Sequence, residues 1–543
     1  MVFCGIQIEG IMIYYCFCVL ILIIFFLFLF RALFKDLREV GHVWARFSLC
    51  AILAIVYKYD LGLTFCGLEY EDAYAFSFLA REFANDIYTQ SFLSEGIGIG
   101  SIESPVLMQT YGGHFITYSV LLSLPVRIFG FSFTILSITT SLLQFLSLLI
   151  LSVFPRLEGR SEWIVAPVLY CISPIINVFG NSFLCEPFSG LVVLSFIYLF
   201  YKQIESKNVS FATMMAFFVA ILTKRENLVL LALPVIHYTY LIIKDKMIYH
   251  KKEFFSIATY GLIVIVYLFF IQNVFNIEST EAQDIESATF SFSYFTRLAP
   301  AFVGSLINPL YFGITTIILV VLIIKSIITK TIHADCVSVI SIWLLYFLLY
   351  TFHYRGYFFV QGGPVSAFDT FRYLNNFYCL TPVIICMLLR KKGMAKYMYA
   401  LFGILLLLSV YQTTSLRYSF NNDEWTNRFE APQKTLDIIK NEKKEHTPVV
   451  ISPDILTLQN IGDNSLFVCD AFQYDNLEFN MNNFQYYLLC RDGDIEYLKQ
   501  RYEALIDINK WRMHTDLGNG FRLYTLTSQN HHFEEKKTCN KTP

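Results

Sequence analysis

The chain alternates long apolar runs with short polar loops, and most of the runs approach the length of a membrane crossing. The first fills residues 1–30; others lie near 47–65, 132–154, 164–181, 188–201, 211–223, 228–243, 255–275, 302–324, 336–352, 374–389 and 397–413. A hydrocarbon slab of about 30 Å asks for about 20 apolar residues per helix, so several runs are short for a perpendicular crossing. The pattern predicts a polytopic α-helical membrane protein with about 11–12 transmembrane helices. The first run lacks a basic start and a small-residue cleavage site, and reads as a retained helix rather than a leader.

Beyond residue 413 the pattern changes, and Asn, Asp, Glu and Lys take over. Short apolar stretches at 448–451, 466–469, 486–490 and 521–524 suit strands, while 435–443 and 495–505 suit helices. A small C-terminal α/β domain is expected. The predicted organisation is a first helix with a basic loop over 1–46, a membrane domain over 47–413 with a large external loop at 66–131, and a soluble domain over 414–543.

Loop charge orients the bundle. Arg31, Lys35, Arg38 and Arg46 follow the first run; Arg156 and Arg160, Lys202 and Lys207, Lys244 to Lys252, Lys325 and Lys330, and Arg390 to Lys396 fill alternate loops after it. The positive-inside rule places these in the cytoplasm and the long acidic loops and the tail on the opposite face. Counting the apolar run 114–129 as a crossing would invert every later loop, so it is expected to lie in the interface.

Composition agrees. With 543 residues, 55% hydrophobic and only 15% charged, too few polar residues exist to coat a soluble particle. A net charge of −2 without a basic block excludes nucleic-acid binding. The 13 cysteines, such as Cys16, Cys18, Cys171 and Cys379, scatter through apolar runs without metal spacing and read as small core residues. Cys469 and Cys490 lie in the polar tail, where a disulfide depends on an oxidising compartment and the sequence leaves pairing open.

Candidate chemistry begins where the second run ends, in Glu69-Tyr70-Glu71-Asp72-Ala73-Tyr74. Acids at such a place can simply solvate a juxtamembrane loop. A carboxylate at a low-dielectric rim also has the surroundings that suit a general base. Gly96, Gly98 and Gly100 lack the spacing and strand-to-helix context of a nucleotide loop. His353, Tyr354 and Tyr357 fit an aromatic interfacial belt.

The acidic stretch resembles the Asp-Glu or Asp-Asp followed by Ala-Tyr in the first external loop of GT-C glycosyltransferases, the superfamily of protein O-mannosyltransferases and lipid A aminoarabinose transferases. The resemblance continues in order through Ser104-Pro105, the run ending in Arg127-Ile128-Phe129-Gly130, Ser173-Pro174 and Asn181 to Glu186. It extends through Ile221-Leu222-Thr223-Lys224 to Arg372-Tyr373-Leu374 ahead of Pro382. Two departures stand out: Glu103-Ser104-Pro105 where relatives often have Lys-Pro-Pro, and Glu186 where they often have Asp.

The resemblance implies an inverting transferase that moves a sugar from a polyprenyl-phosphate donor to a lipid, glycan or protein acceptor on the extracytoplasmic face of a cell membrane. The base would be Glu71 by register or Asp72 by residue type, and both stay open. External cations would hold the leaving phosphate, and Lys224, Arg225, Arg297, Arg355 and Arg372 are the candidates, with Glu186 beside them. Each also fits an interfacial cation snorkelling to head groups. No cofactor is required; a divalent metal is compatible with oxygens from Glu71, Asp72 and Glu186. A transporter or flippase, or a polymerase or ligase, for lipid-linked glycans is the alternative.

Overall fold

The computed structural model describes residues 2–60, 71–88, 116–154, 162–171, 173, 176, 183–206, 210–245, 251–269, a few positions between 292 and 303, 313–330, 332–352, 374–389, 403, 424–442, 446–452, 467–470, 484–491, 511–518 and 520–526. They fall into two compact units, one helical and one built on a sheet.

The helical unit opens with α1 (Val2–Val40), whose residues Tyr15, Cys18, Leu22, Phe25, Leu29 and Leu33 form a buried stripe. That stripe has the three-to-four spacing of one helix face. Leu20, Ile23, Leu27 and Phe34 are exposed on the other side, as a lipid-facing surface requires. The helix runs ten residues past the apolar run because Arg31 to Val40 holds mostly good helix formers and no breaker before Gly41. A reversal leads into α2 (Val43–Asp60).

Next come α3 (Glu71–Ala84), α4 (Thr117–Phe129) and α5 (Phe133–Ser152). Gly130, with φ of +83°, ends α4 in a conformation that a Cβ would oppose, and its N–H closes on Val126. Ser132 then caps α5 by accepting from the Ile135 N–H at 3.2 Å. The core continues with α6 (Glu162–Cys171), α7 (Glu186–Ser206) and α8 (Phe211–Thr223). α7 is buried almost all round and packs against α5 and α8. A 3₁₀ turn (Arg225–Leu231) leads into α9 (Ala232–Asp245), and α10 (Lys251–Phe269), α11 (Gly313–Ile328), α12 (Ala334–Phe352) and α13 (Asn375–Leu389) follow among the described residues.

Among the described residues four stretches are long and apolar enough to cross a membrane by length and composition, namely Ile11–Val40, Phe133–Ser152, Glu186–Ser206 and Arg225–Ile243, and seven shorter apolar helices accompany them. The protein is a polytopic α-helical membrane protein.

Side-chain pairs tell which helix ends share a level. Asp36 near the end of α1 accepts from Tyr198 and Lys202 near the end of α7. Arg46 at the start of α2 donates to the Ser152 carbonyl at the end of α5. Tyr201 donates to the Asp335 carbonyl at the start of α12 at 2.7 Å. These ends, which carry or adjoin the basic loops, lie together. Near the other end of α1, Tyr14 and Tyr15 meet α4, their hydroxyls 3.5 Å from Thr117 and 3.3 Å from Ser123. Two neighbours on α1 thus touch residues six apart on α4, about 9 Å along its axis. α4 therefore crosses α1 instead of running beside it.

The second unit has a helix, α14 (Glu424–Asn441), and five strands: β1 (Thr447–Ser452), β2 (Phe467–Asp470), β3 (Phe484–Arg491), β4 (Trp511–Gly518) and β5 (Phe521–Leu526). The sheet order is β2-β1-β3-β5-β4, parallel across the first three and antiparallel across the last three. Opposite residues Val450 and Tyr487, and Leu489 and Leu523, pack in one cluster with Ala431 and Ile439 of α14. Strand β4 was not anticipated, because Arg512 to Asp516 is polar and mostly exposed, so it lacks a clean alternating signal. The helix expected at 495–505 lies outside the described residues.

The same topology answers the cysteine question. Cys469 is on β2 and Cys490 on β3, with β1 hydrogen-bonded between them. Two strand spacings separate their backbones by about 9–10 Å, beyond the roughly 7 Å that a disulfide spans. The pair is not positioned to bridge.

Candidate functional site

The site grows from an interruption in the helical path. Lys224 ends α8 in extended conformation, with φ of −151°, and Arg225 starts the 3₁₀ turn. A charged Lys-Arg-Glu sequence between two apolar helices favours such a break, since a shift in helical winding re-aims the side chains. Lys224 turns inward. Its ammonium donates to Glu186 Oε1 at 2.8 Å and lies 3.3 Å from Glu226 Oε1. The Glu186 side chain is 2% exposed and that of Lys224 13%. Arg225, the neighbour on the turn, is half-buried.

Beneath this cluster lies a set of amides and hydroxyls drawn from four elements. Asn227 donates to the Ala220 carbonyl at 2.8 Å and accepts from Tyr346 at 2.8 Å and from Asn376 at 3.0 Å. Asn376 also donates to Ser189 Oγ at 3.1 Å, and Asn375 donates to the Glu186 backbone carbonyl at 3.0 Å. The turn, α7, α12 and α13 are thus tied at one level by groups that must stay paired in a low-dielectric interior.

Aromatic rings link the cluster to the acidic helix. Phe76, one turn after Asp72, meets the Tyr118 ring edge-on at 5.4 Å. Tyr118 stacks on Phe188 of α7, two residues past Glu186, at 6.1 Å. Thr117 donates to the Leu222 carbonyl at 2.8 Å, two residues before Lys224. The second turn of α3, the first turns of α4 and α7 and the end of α8 therefore converge.

The far ends of α3 and α4 are clamped as well. Arg127 donates to the Phe83 carbonyl at 2.8 Å and pairs with Asp86. The Arg127 hydrogen bond, followed by one from Tyr88, holds the Asp86 carboxyl below the usual Asp range.

Of the residues singled out by sequence, Glu186 and Lys224 are brought into contact, with Arg225 adjoining. Glu71 and Asp72 are the first two residues of α3; their side chains lie outside what is described. Arg297, Arg355 and Arg372 lie outside the described residues altogether. Asn227, Tyr346, Asn375 and Asn376 escaped the sequence reading. The adjacent Asn375 and Asn376 at the head of an apolar run were the available signal, since polar groups at membrane depth are costly and mark function. Among the described residues no group of three or more His, Cys, Asp or Glu is placed to hold a metal ion.

The fold is GT-C-like, as likeness to solved structures shows. Its likeness is to ArnT from Cupriavidus metallidurans bound to undecaprenyl phosphate, with a TM-score of 0.53 at 12% identity, covering 90% of this chain and 99% of that one. The apo state of the same ArnT gives 0.52 at 10% identity, covering 89% and 98%. At these identities what is shared is the fold. No family model matches the sequence. No curated protein matches it either.

Proposed function

We propose that this chain is an inverting membrane glycosyltransferase that moves a sugar from a polyprenyl-phosphate donor to an acceptor on the extracytoplasmic face. The observation that carries the reading is the buried Glu186–Lys224–Glu226 cluster, linked through Phe188 and Tyr118 to Phe76 in the second turn of α3, in a GT-C-like fold. The solved relative that binds undecaprenyl phosphate supports a donor of that class.

In this reading Asp72, or Glu71 next to it, takes the proton from an acceptor hydroxyl as the hydroxyl attacks the anomeric carbon. The departing lipid phosphate is met by cations. Lys224 is already shared by two carboxylates, so the first duty assigned to it is to hold Glu186 in place. Arg225, with Arg297, Arg355 and Arg372, is then the proposed phosphate partner, Arg being suited to forked contacts. The base-bearing loop, these cations and the domain from residue 414 onward are placed on the extracytoplasmic side of a cell membrane. The joining of helix ends that carry the basic loops supports this orientation.

A transporter would call for a broken helix at the midplane. Here the break lies level with the start of α7, which favours a site at the membrane rim. The test offers purified protein labelled polyprenyl-phosphate sugars and candidate acceptors. Transfer is expected from the wild type, with a drop of at least about a hundredfold, as for loss of a general base, in Asp72→Asn or Glu71→Gln. Full transfer by both variants would remove the base assignment, and donor translocation without glycosidic product would favour the transporter.

A further inference from the structure

Tyr118 is 0% exposed, yet its hydroxyl has no hydrogen-bond partner among the described residues. A buried phenol in this condition costs free energy in the resting protein. Ser119, Ser173 and Thr315 also carry unpartnered buried hydroxyls. Those are short rotors that can turn toward nearby backbone at small cost. A phenol cannot, because its oxygen stands a whole ring away from its own backbone.

The ring is held firmly, edge-on to Phe76 and stacked on Phe188, so the oxygen cannot swing away to find water. It stands at the meeting of α3, α4 and α7, in the field of Cys185 and Glu186. Burial, and then those two neighbours, push its pKa well up, which keeps it a proton donor.

From this placement we infer that Tyr118 contacts the transferred sugar: its phenol donates to a ring hydroxyl oxygen, while that hydroxyl's own proton is shared with the Glu186 carboxylate. The inference rests on the glycosyltransferase reading above. A neutral hydroxyl both donates and accepts, so it satisfies a phenol and a carboxylate together. A phosphate oxygen would satisfy the phenol but face two carboxylates with one shared ammonium between them. The polar chemistry at this point therefore selects the sugar and not the phosphate.

The test is Tyr118→Phe, which keeps the ring and removes one oxygen. With the full-length protein in detergent and a labelled polyprenyl-phosphate sugar, kcat/KM is expected to fall about tenfold, as for loss of one hydrogen bond. The thermal midpoint without substrate should stay level or rise, since an unpaired buried hydroxyl has been deleted. A set of monodeoxy donors supplies a readout that a packing role would not move. One of them should already be poor for the wild type and lose nothing further in Tyr118→Phe. Wild-type kcat/KM in the variant, a lowered midpoint, or an equal extra loss with every deoxy donor would overturn the inference while leaving the transferase reading intact. Failure of the wild type to bind or transfer any such donor would remove both.

Discussion

Glu186 and Lys224 are 38 positions apart, yet they form a 2.8 Å ion pair joining the first residue of α7 to the break after α8. Such a pair is weak evidence of net stability but costly to halve, because the remaining charge stays buried. Lys224→Met leaves two carboxylates facing one another and is expected to destabilise the bundle by about 3–5 kcal/mol, read as a lowered midpoint in detergent. Adding Glu186→Gln should recover part of the loss. Strict additivity of the two changes would show that the residues are not coupled.

Asn227 is the hinge of the polar level, touching Ala220, Tyr346 and Asn376. Asn227→Leu keeps volume but strands the Tyr346 hydroxyl and one N–H of the Asn376 amide, whose other bond to Ser189 remains, at a cost of about 1–3 kcal/mol. Tyr346→Phe should cost less, since Asn227 retains Asn376. Equal midpoints for Asn227→Leu and wild type would count against a hub at this residue.

Gly190 of α7 faces α13: a Cβ there would stand 2.8 Å from Cys379 Sγ. Alanine gains about 1 kcal/mol in helix propensity, but overpacking a filled core costs about 1–3 kcal/mol. Gly190→Ala is therefore expected to lower the midpoint, and Cys379→Ala in the same chain to restore it. A stabilised single variant would mean the helices part freely.

The Arg127–Asp86 clamp gives a pH signature. Arg127 lowers the Asp86 pKa in the folded protein, so its contribution is present above the unfolded value, about 4, and fades as pH falls through the folded value. Asp86→Asn should reduce the midpoint at neutral pH, and the gap from wild type should close under acidic conditions. A gap that persists unchanged at low pH would assign the loss to something other than charge.

The sequence announced the helical bundle because apolar runs of crossing length leave little choice of fold, and loop charge anticipated that Arg46 and Lys202 would lie at ends brought together. It also marked Glu186 and Lys224 as residues of interest. It could not reveal that they touch, since nothing local couples an acid at a helix start to a lysine in a later break. Tyr118 was invisible for another reason: an aromatic in an apolar run reads as packing, and only the missing partner sets it apart. In the tail, β1, β2, β3 and β5 carried apolar cores a few residues long, whereas β4 presented Arg512, His514 and Asp516 and read as loop. The disulfide question needed strand order, which no spacing of cysteines encodes.

The length of α1 has a consequence for the bilayer. The stretch Ile11–Val40 covers 30 residues, and at 1.5 Å per residue such a rod is about 45 Å long, well over the thickness of a hydrocarbon core. Its two polar fastenings divide that length. Tyr14 and Tyr15 grip α4, and Asp36 grips Lys202; at the helical rise these levels stand about 32 Å apart. That is about the thickness of a whole bilayer hydrocarbon core. If α4 lies at one boundary and the Asp36 pair at the other, the helix acts as a depth gauge: a thinner membrane would be met by tilting the bundle, and a thicker one would have to thin around it.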